Sequence, residues 1–149
     1  LTRVGRTSMI RLPDTRFTDQ QWWDCGLVCA YCVLDYYEKP RDYALRLYPS
    51  PTSGVSPTAL AHVFQLAGLK VAQGQWDIKT LKGLQSPLIA YVNADDGIDH
   101  YVVIEGAATR VHYFDPDYGR KNVPIDRFLT MWNSVDRGRP VTQHGMLIQ

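Results

Sequence analysis

The chain has 149 residues, 45% of them hydrophobic and 21% charged, with 16 Lys and Arg against 15 Asp and Glu. That is enough sequence for one buried core, and a formal charge of +1 supplies no basic field for nucleic acid. No apolar run approaches the roughly 20 residues of a membrane span, and the absence of repeats, low-complexity tracts and long charge blocks excludes a solenoid or a disordered chain.

Residues 1–21 read as irregular, with Arg3, Arg6, Arg11 and Arg16 among small polar residues and Pro13. From Cys25 to Tyr37 the chain is dense and apolar with no internal proline, which predicts a buried helix with Asp24 as its N-cap. Tyr43–Tyr48 adds a short helical turn, and Pro49, Pro51, Ser53 and Gly54 make a loop. Ser56-Pro57 is a helix start, and Leu60, Val63, Phe64 and Ala67 keep helical spacing up to Gly68. Lys70–Gly74 reads as a short strand, and Asp77 caps a brief helix to Leu84.

Leu88–Val92 is a buried-strand run, and Asp95-Asp96-Gly97 is a turn. His100–Glu105 and Arg110–Asp115 read as paired strands around a turn at Gly106–Thr109, with Pro116, Asp117 and Gly119 as breakers. Pro124–Val135 carries Ile125, Phe128, Leu129 and Trp132 at helical spacing, and Gly145–Ile148 is a closing strand. Helices first and a mostly antiparallel sheet afterwards predict an α+β architecture in one domain, 1–149, with 1–16 as an irregular arm.

Cys25 is the residue with the most chemical promise. It opens the first helix, where the partial positive charge of the helix N-terminus favours a thiolate, and Gly26 beside it permits close approach. Cys29 and Cys32 fall one and two turns further on, in the apolar part, and read as buried small hydrophobes. A nucleophilic cysteine needs a base, and the base an orienting group. His62 and His112 sit inside a helix and a strand as packing residues, and His144 shows no partner. His100 instead opens an apolar strand. If that strand pairs with the next as a hairpin, His100 and Asp115 lie at one end of the sheet, with Asp117 a rival carboxylate two residues on. Gln20 or Gln21 can supply a side-chain amide to an oxyanion. Trp22 and Trp23 read either as packing residues or as cleft walls.

The string Gln20-Gln21-Trp22-Trp23-Asp24-Cys25-Gly26-Leu27-Val28-Cys29, then His100-Tyr101-Val102-Val103-Ile104, then Asp115-Pro116-Asp117-Tyr118-Gly119 with Phe128 and Trp132, resembles the C39 peptidase-like branch of the papain-like cysteine enzymes. The Trp-Asp-Cys-Gly-Leu stretch is most similar to its guanylyl cyclase domain-containing subgroup, and the resemblance spans roughly residues 17–135. It implies a papain-like fold and a cysteine hydrolase acting on a protein or peptide, with Cys25 as nucleophile, His100 as base, Asp115 as orienting carboxylate and Gln20 or Gln21 as oxyanion donor. One departure stands out: the related pattern places that Gln six residues before the Cys, where this chain has Asp19.

The same triad would serve peptide hydrolysis, glutamine deamidation or acyl transfer, and a non-catalytic C39-like binding module is the remaining relative; an intact triad weighs against the last. Guanylyl cyclase chemistry lacks a Gly-rich phosphate loop and an evident pair of metal-binding carboxylates. The Cys25-x3-Cys29-x2-Cys32 spacing also matches radical S-adenosylmethionine enzymes with an iron–sulfur cluster, although i, i+4, i+7 is equally one face of a helix. Four zinc ligands at familiar spacing are not present, so neither metal nor cofactor is expected. An odd, clustered set of cysteines is a poor disulfide framework and favours a reducing compartment such as the cytoplasm. A chain beginning Leu-Thr-Arg-Val leaves open a removed targeting segment and with it a secreted or translocated product.

Overall fold

The protein is described by a computed structural model, which covers residues 9–93, 99–136 and 139–149. Along the chain run α1 (Cys25–Tyr36), α2 (Pro57–Leu66), β1 (Val71–Gln75), α3 (Ile78–Lys82), β2 (Leu88–Asn93), β3 (Asp99–Ala107), β4 (Arg110–Asp115), β5 (Gly119–Pro124), α4 (Ile125–Met131), β6 (Asn133–Asp136), β7 (Arg139–Thr142) and β8 (His144–Ile148). Six strands form one sheet in the order β1-β8-β2-β3-β4-β5, and β6 and β7 form a separate hairpin. Every described pairing is antiparallel. The architecture is the α+β one expected, helices on a mostly antiparallel sheet.

Strand alternation sorts the core into two layers. Ile89, Tyr101, Val103, Phe114 and Met146 meet α1 and α2 on one face. Ala90, Val102, Ile104 and Tyr113 meet α3, α4 and Trp132 on the other. Both faces of the central strands are therefore covered, which explains why Val102, Val103 and Ile104 run apolar without a break and are fully buried. Full burial of each such side chain is worth roughly 1.5–3 kcal/mol.

Local signals were mostly obeyed. Ser56 caps α2 by accepting the Ala59 N–H, and Asp77 caps α3 by accepting that of Thr80. Asp24 behaves differently from its expected role as the N-cap side chain of α1. Its carboxylate accepts the Gln21 N–H and so closes a 3-10 turn, Trp22–Asp24, that feeds directly into the helix. The turn expected over Tyr43–Tyr48 is a 3-10 turn at Arg41–Ala44 instead.

The pairing of β3 with β4 runs on through Gly106 and Ala107, where a turn was expected. A bulge between Ile104 and Gly106 absorbs the irregularity, with Gly106 at φ +152° against Met9. The final helix ends at Met131 and not at Val135, because Trp132 leaves helical geometry (ψ 61°) to bury its ring, and the chain turns into β6. The expected Asp95-Asp96-Gly97 turn and residues 1–8 of the expected arm lie outside the described residues. The rest of the arm has no regular element but is pinned. Ile10 and Leu12 donate backbone N–H to Glu105, Arg120 bridges Glu105 and the Leu12 carbonyl, and Thr15 donates to the Val28 carbonyl.

Candidate active site

The β3/β4 register sets the first half of the site. Val103 pairs with Phe114, so continuing the ladder brings Asp115 opposite Val102, with His100 the next residue on that face. The side chains meet: His100 Nε2 lies 3.1 Å from Asp115 Oδ1, both groups buried. Asp117 is further, with Oδ2 at 3.9 Å from the same nitrogen, and its own backbone N–H donates to Asp115 Oδ1 at 2.8 Å. Asp115 is thus the carboxylate nearer the ring, and the Asp117 backbone N–H donates to it.

The second half comes from α1. Cys25 is its first residue, it lines the same cleft as His100, and its side chain is close enough to act on the His100 pKa. With Nε2 facing Asp115, the other ring nitrogen, Nδ1, is left to exchange a proton with a thiol. Burial works against a charged imidazole here, but the hydrogen bond to Asp115 and the nearby Cys25 side chain outweigh it and raise the His100 pKa from its ordinary 6.5 to about 10. Burial likewise disfavours the Asp115 carboxylate, yet His100 holds its pKa below the usual value. The pair is a charged, hydrogen-bonded unit at neutral pH.

Gly26 is dictated by crowding. A Cβ there would lie 2.8 Å from Val55 Cβ and 3.3 Å from the Tyr101 ring, and the Tyr101 hydroxyl donates to the Val55 carbonyl at 2.7 Å. What approaches Gly26 closely is thus the loop before α2, which forms one wall of the site. A cleft of about 450 Å³ opens there, with Cys25, His100, Trp22, Trp23 and Val55 in its lining. Trp22 and Trp23 are cleft walls, stacked edge to face.

The two candidate oxyanion residues lie elsewhere. The Gln20 amide donates to the Pro116 carbonyl at 2.6 Å and its Oε1 accepts the Phe17 N–H, so it ties the Asp115–Asp117 segment to the stretch before Cys25. Gln21 donates to the Asp19 carbonyl, and neither side chain lines the cleft. Cys29 and Cys32 are fully enclosed in the core, where burial pushes both thiols up. Cys29 Sγ faces the Tyr101 carbonyl at 3.7 Å. The cysteine spacing is that of a buried helix. Among the described residues, the group that could hold a metal ion is His100, Asp115 and Asp117, whose ligand atoms lie within 4.8 Å of one another. No described helix is long and apolar enough to cross a membrane.

Sequence reasoning missed several cleft residues, among them Tyr101, Tyr91, Gln73 and His144. The strand register that aligns them spans distant parts of the chain and leaves no local trace.

Comparison with known proteins agrees with this architecture. The family model of the Peptidase C39 family matches residues 16–135. Among solved structures, a double glycine motif protease from an AMS/PCAT transporter, in complex with the leader peptide, superposes with a TM-score of 0.69 at 20% identity, over 98% of this chain and 94% of that one. The peptidase domain of Streptococcus ComA, a bi-functional ABC transporter of a quorum-sensing pathway, gives 0.67 at 18% identity, over 96% and 98%. The N-terminal peptidase C39 like domain of the toxin secretion ATP-binding protein from Vibrio parahaemolyticus gives 0.59 at 13%, over 89% and 98%. At these identities the likeness to solved structures is one of fold. No curated protein sequence matches the chain, and nothing in these comparisons singles out the guanylyl cyclase domain-containing subgroup. With the family model covering most of its length, the chain belongs to the Peptidase C39 family and is a papain-like cysteine peptidase.

Proposed function

We propose that this protein cuts a peptide amide bond with Cys25 as nucleophile, His100 as general base and acid, and Asp115 as the carboxylate that orients His100. The observation that carries this reading is the buried His100 ring, hydrogen-bonded to the Asp115 carboxylate and lining the same cleft as Cys25. Cys25 Sγ, having given its proton to His100, attacks the scissile carbonyl carbon. As the tetrahedral intermediate collapses, the C–N bond breaks and His100 gives that proton to the leaving amine. His100 then takes a proton from water, whose oxygen displaces Sγ from the acyl carbon. Asp115 fixes which nitrogen of the ring faces the thiol and stabilises the imidazolium.

The oxyanion is met by the backbone N–H of Cys25, at the start of α1, where the helix N-terminus carries partial positive charge. Gln20 joins it by exchanging the Pro116 carbonyl for the oxyanion. Gln21 would need both a new partner and a new direction, so Gln20 is the preferred side-chain donor.

The neighbour that holds a leader peptide is named for a double glycine motif. A leader peptide ending in Gly-Gly before the cut is therefore the first substrate to try. Wild-type protein should release the segment after the motif, and Cys25→Ala should not. Cleavage that persists in Cys25→Ala would overturn the assignment.

A further inference from the structure

The cleft extends well beyond the reacting groups. On the α1 face, Tyr101 of β3 pairs with Tyr91 of β2. Ala90 pairs with Gly145 of β8, so the next position along brings His144 beside Tyr91. A row of side chains, Tyr101 to Tyr91 to His144, thus crosses the sheet away from Cys25, and all three line the cleft. His144 lies two strand spacings from β3, about 10 Å, which is roughly three residues of extended peptide.

The far end of this row is built to donate hydrogen bonds. The Tyr91 hydroxyl donates to Gln73 Oε1 at 3.0 Å, which leaves the Gln73 Nε2 group as the donor end of that amide. The His144 ring makes no hydrogen bond to another described residue. Its backbone is fixed nonetheless: the indoles of Trp132 and Trp76 donate to the carbonyls of His144 and Gly145, at 3.0 Å each. An imidazole on a strand fixed at both carbonyls, lining a cleft and taking no partner among the described residues, can donate to a ligand there. A carboxylate can satisfy two donors of one cleft with its two acceptor oxygens. A lysine or arginine would set donor against donor, and a leucine would leave both donors unpaired.

Resting on the peptidase reading above, we propose that His144 and Gln73 form a subsite for an acidic substrate side chain about three residues from the cleaved bond.

The test uses fluorescent peptides with a central Gly-Gly, in which Glu, Gln or Leu is placed singly at each of four positions on either side of the bond. Binding is measured to the Cys25→Ala protein by fluorescence anisotropy, and turnover is measured with wild-type protein. At one position near the third from the bond, Glu should bind roughly tenfold or more tightly than Leu, the size of a charge-assisted hydrogen bond. His144→Leu in the Cys25→Ala background should bring that ratio close to one, and His144→Gln, which keeps a donor, should restore part of it. Gln73→Leu serves as a second variant, with a thermal melt confirming that each folds. Equal binding of Glu and Leu peptides at every position overturns the subsite. So does a preference that survives both His144→Leu and Gln73→Leu. Absence of turnover by wild-type protein overturns the peptidase reading alone, because the binding ratios decide the subsite separately.

Discussion

Three cysteines share one helix and one short stretch of sequence, yet only one faces a cleft. Cys25 opens α1 against His100. Cys29 and Cys32 point into the layer between α1 and the sheet, are fully buried, and have their thiols pushed up by desolvation. The residue type is constant and the surroundings are not. Position at the helix start, beside a histidine with its own carboxylate, separates the proposed nucleophile from packing material.

The comparison is broken most directly by exchanging the groups that create it. Cys25→Ala and His100→Ala should each lower peptide turnover on the order of 10⁴–10⁶-fold while leaving the thermal melt cooperative. A steady-state assay showing near-wild-type rates in either variant would remove the distinction between Cys25 and its neighbours. The orienting carboxylate comes next. Asp115→Asn should cost roughly 10²–10⁴-fold in kcat, since it disturbs the orientation of His100 without deleting it. Asp117→Asn, with its carboxylate 3.9 Å from the ring and partly exposed, should cost at most about fivefold. If the two losses are reversed, Asp117 is the orienter.

A pH titration of stability sharpens the same contrast. The His100 pKa is raised in the folded state, so the stabilisation it brings is complete below about pH 6.5 and is lost as pH climbs through about 10. The Asp115 pKa is lowered, so its contribution is present above its ordinary 3.8 and is lost as pH falls through the depressed folded value. Urea midpoints measured from pH 6 to pH 10 should therefore decline more in wild type than in His100→Gln. Parallel curves would mean that the imidazolium is not held by its neighbours.

The smallest effect belongs to the buried cysteines. Cys29→Ala should lower stability by about 1 kcal/mol, one buried atom plus the small cavity it leaves, and change kcat little. Denaturant melts and rates on the same preparation check this. A large loss of rate with no loss of stability would give Cys29 a role that its enclosure argues against.

How far the fold could be read from sequence follows from where the stabilising contacts lie. Helix starts at Ser56 and Asp77 were legible because each cap is made within four residues. The central strands were legible because both faces are buried and Val102-Val103-Ile104 is uninterrupted. β5 was not: Gly119-Arg120-Lys121-Asn122 is a polar edge, and only its ladder with β4 makes it a strand. The β6–β7 hairpin was hidden for a related reason, because Val135 continues a helical spacing that Trp132 has already ended.

The proposed reactive groups stand out more in the sequence than the cleft around them. Cys25, His100 and Asp115 stand at element ends, where a hairpin and a helix start can be argued locally. The Gln20 amide holds the Pro116 carbonyl, 96 residues away, a contact that nothing local in the sequence announces. His144 was passed over for want of a partner, and its place beside Tyr91 depends on a ladder between β2 and β8 that sequence spacing does not encode.

The most direct single measurement is mass-spectrometric mapping of iodoacetamide label on the native protein near neutral pH. Cys25 should be alkylated selectively, with Cys29 and Cys32 labelled only after unfolding, and His100→Ala should slow the labelling of Cys25. Equal labelling of all three cysteines, or none at Cys25, would contradict the assignment of Cys25 as the nucleophile.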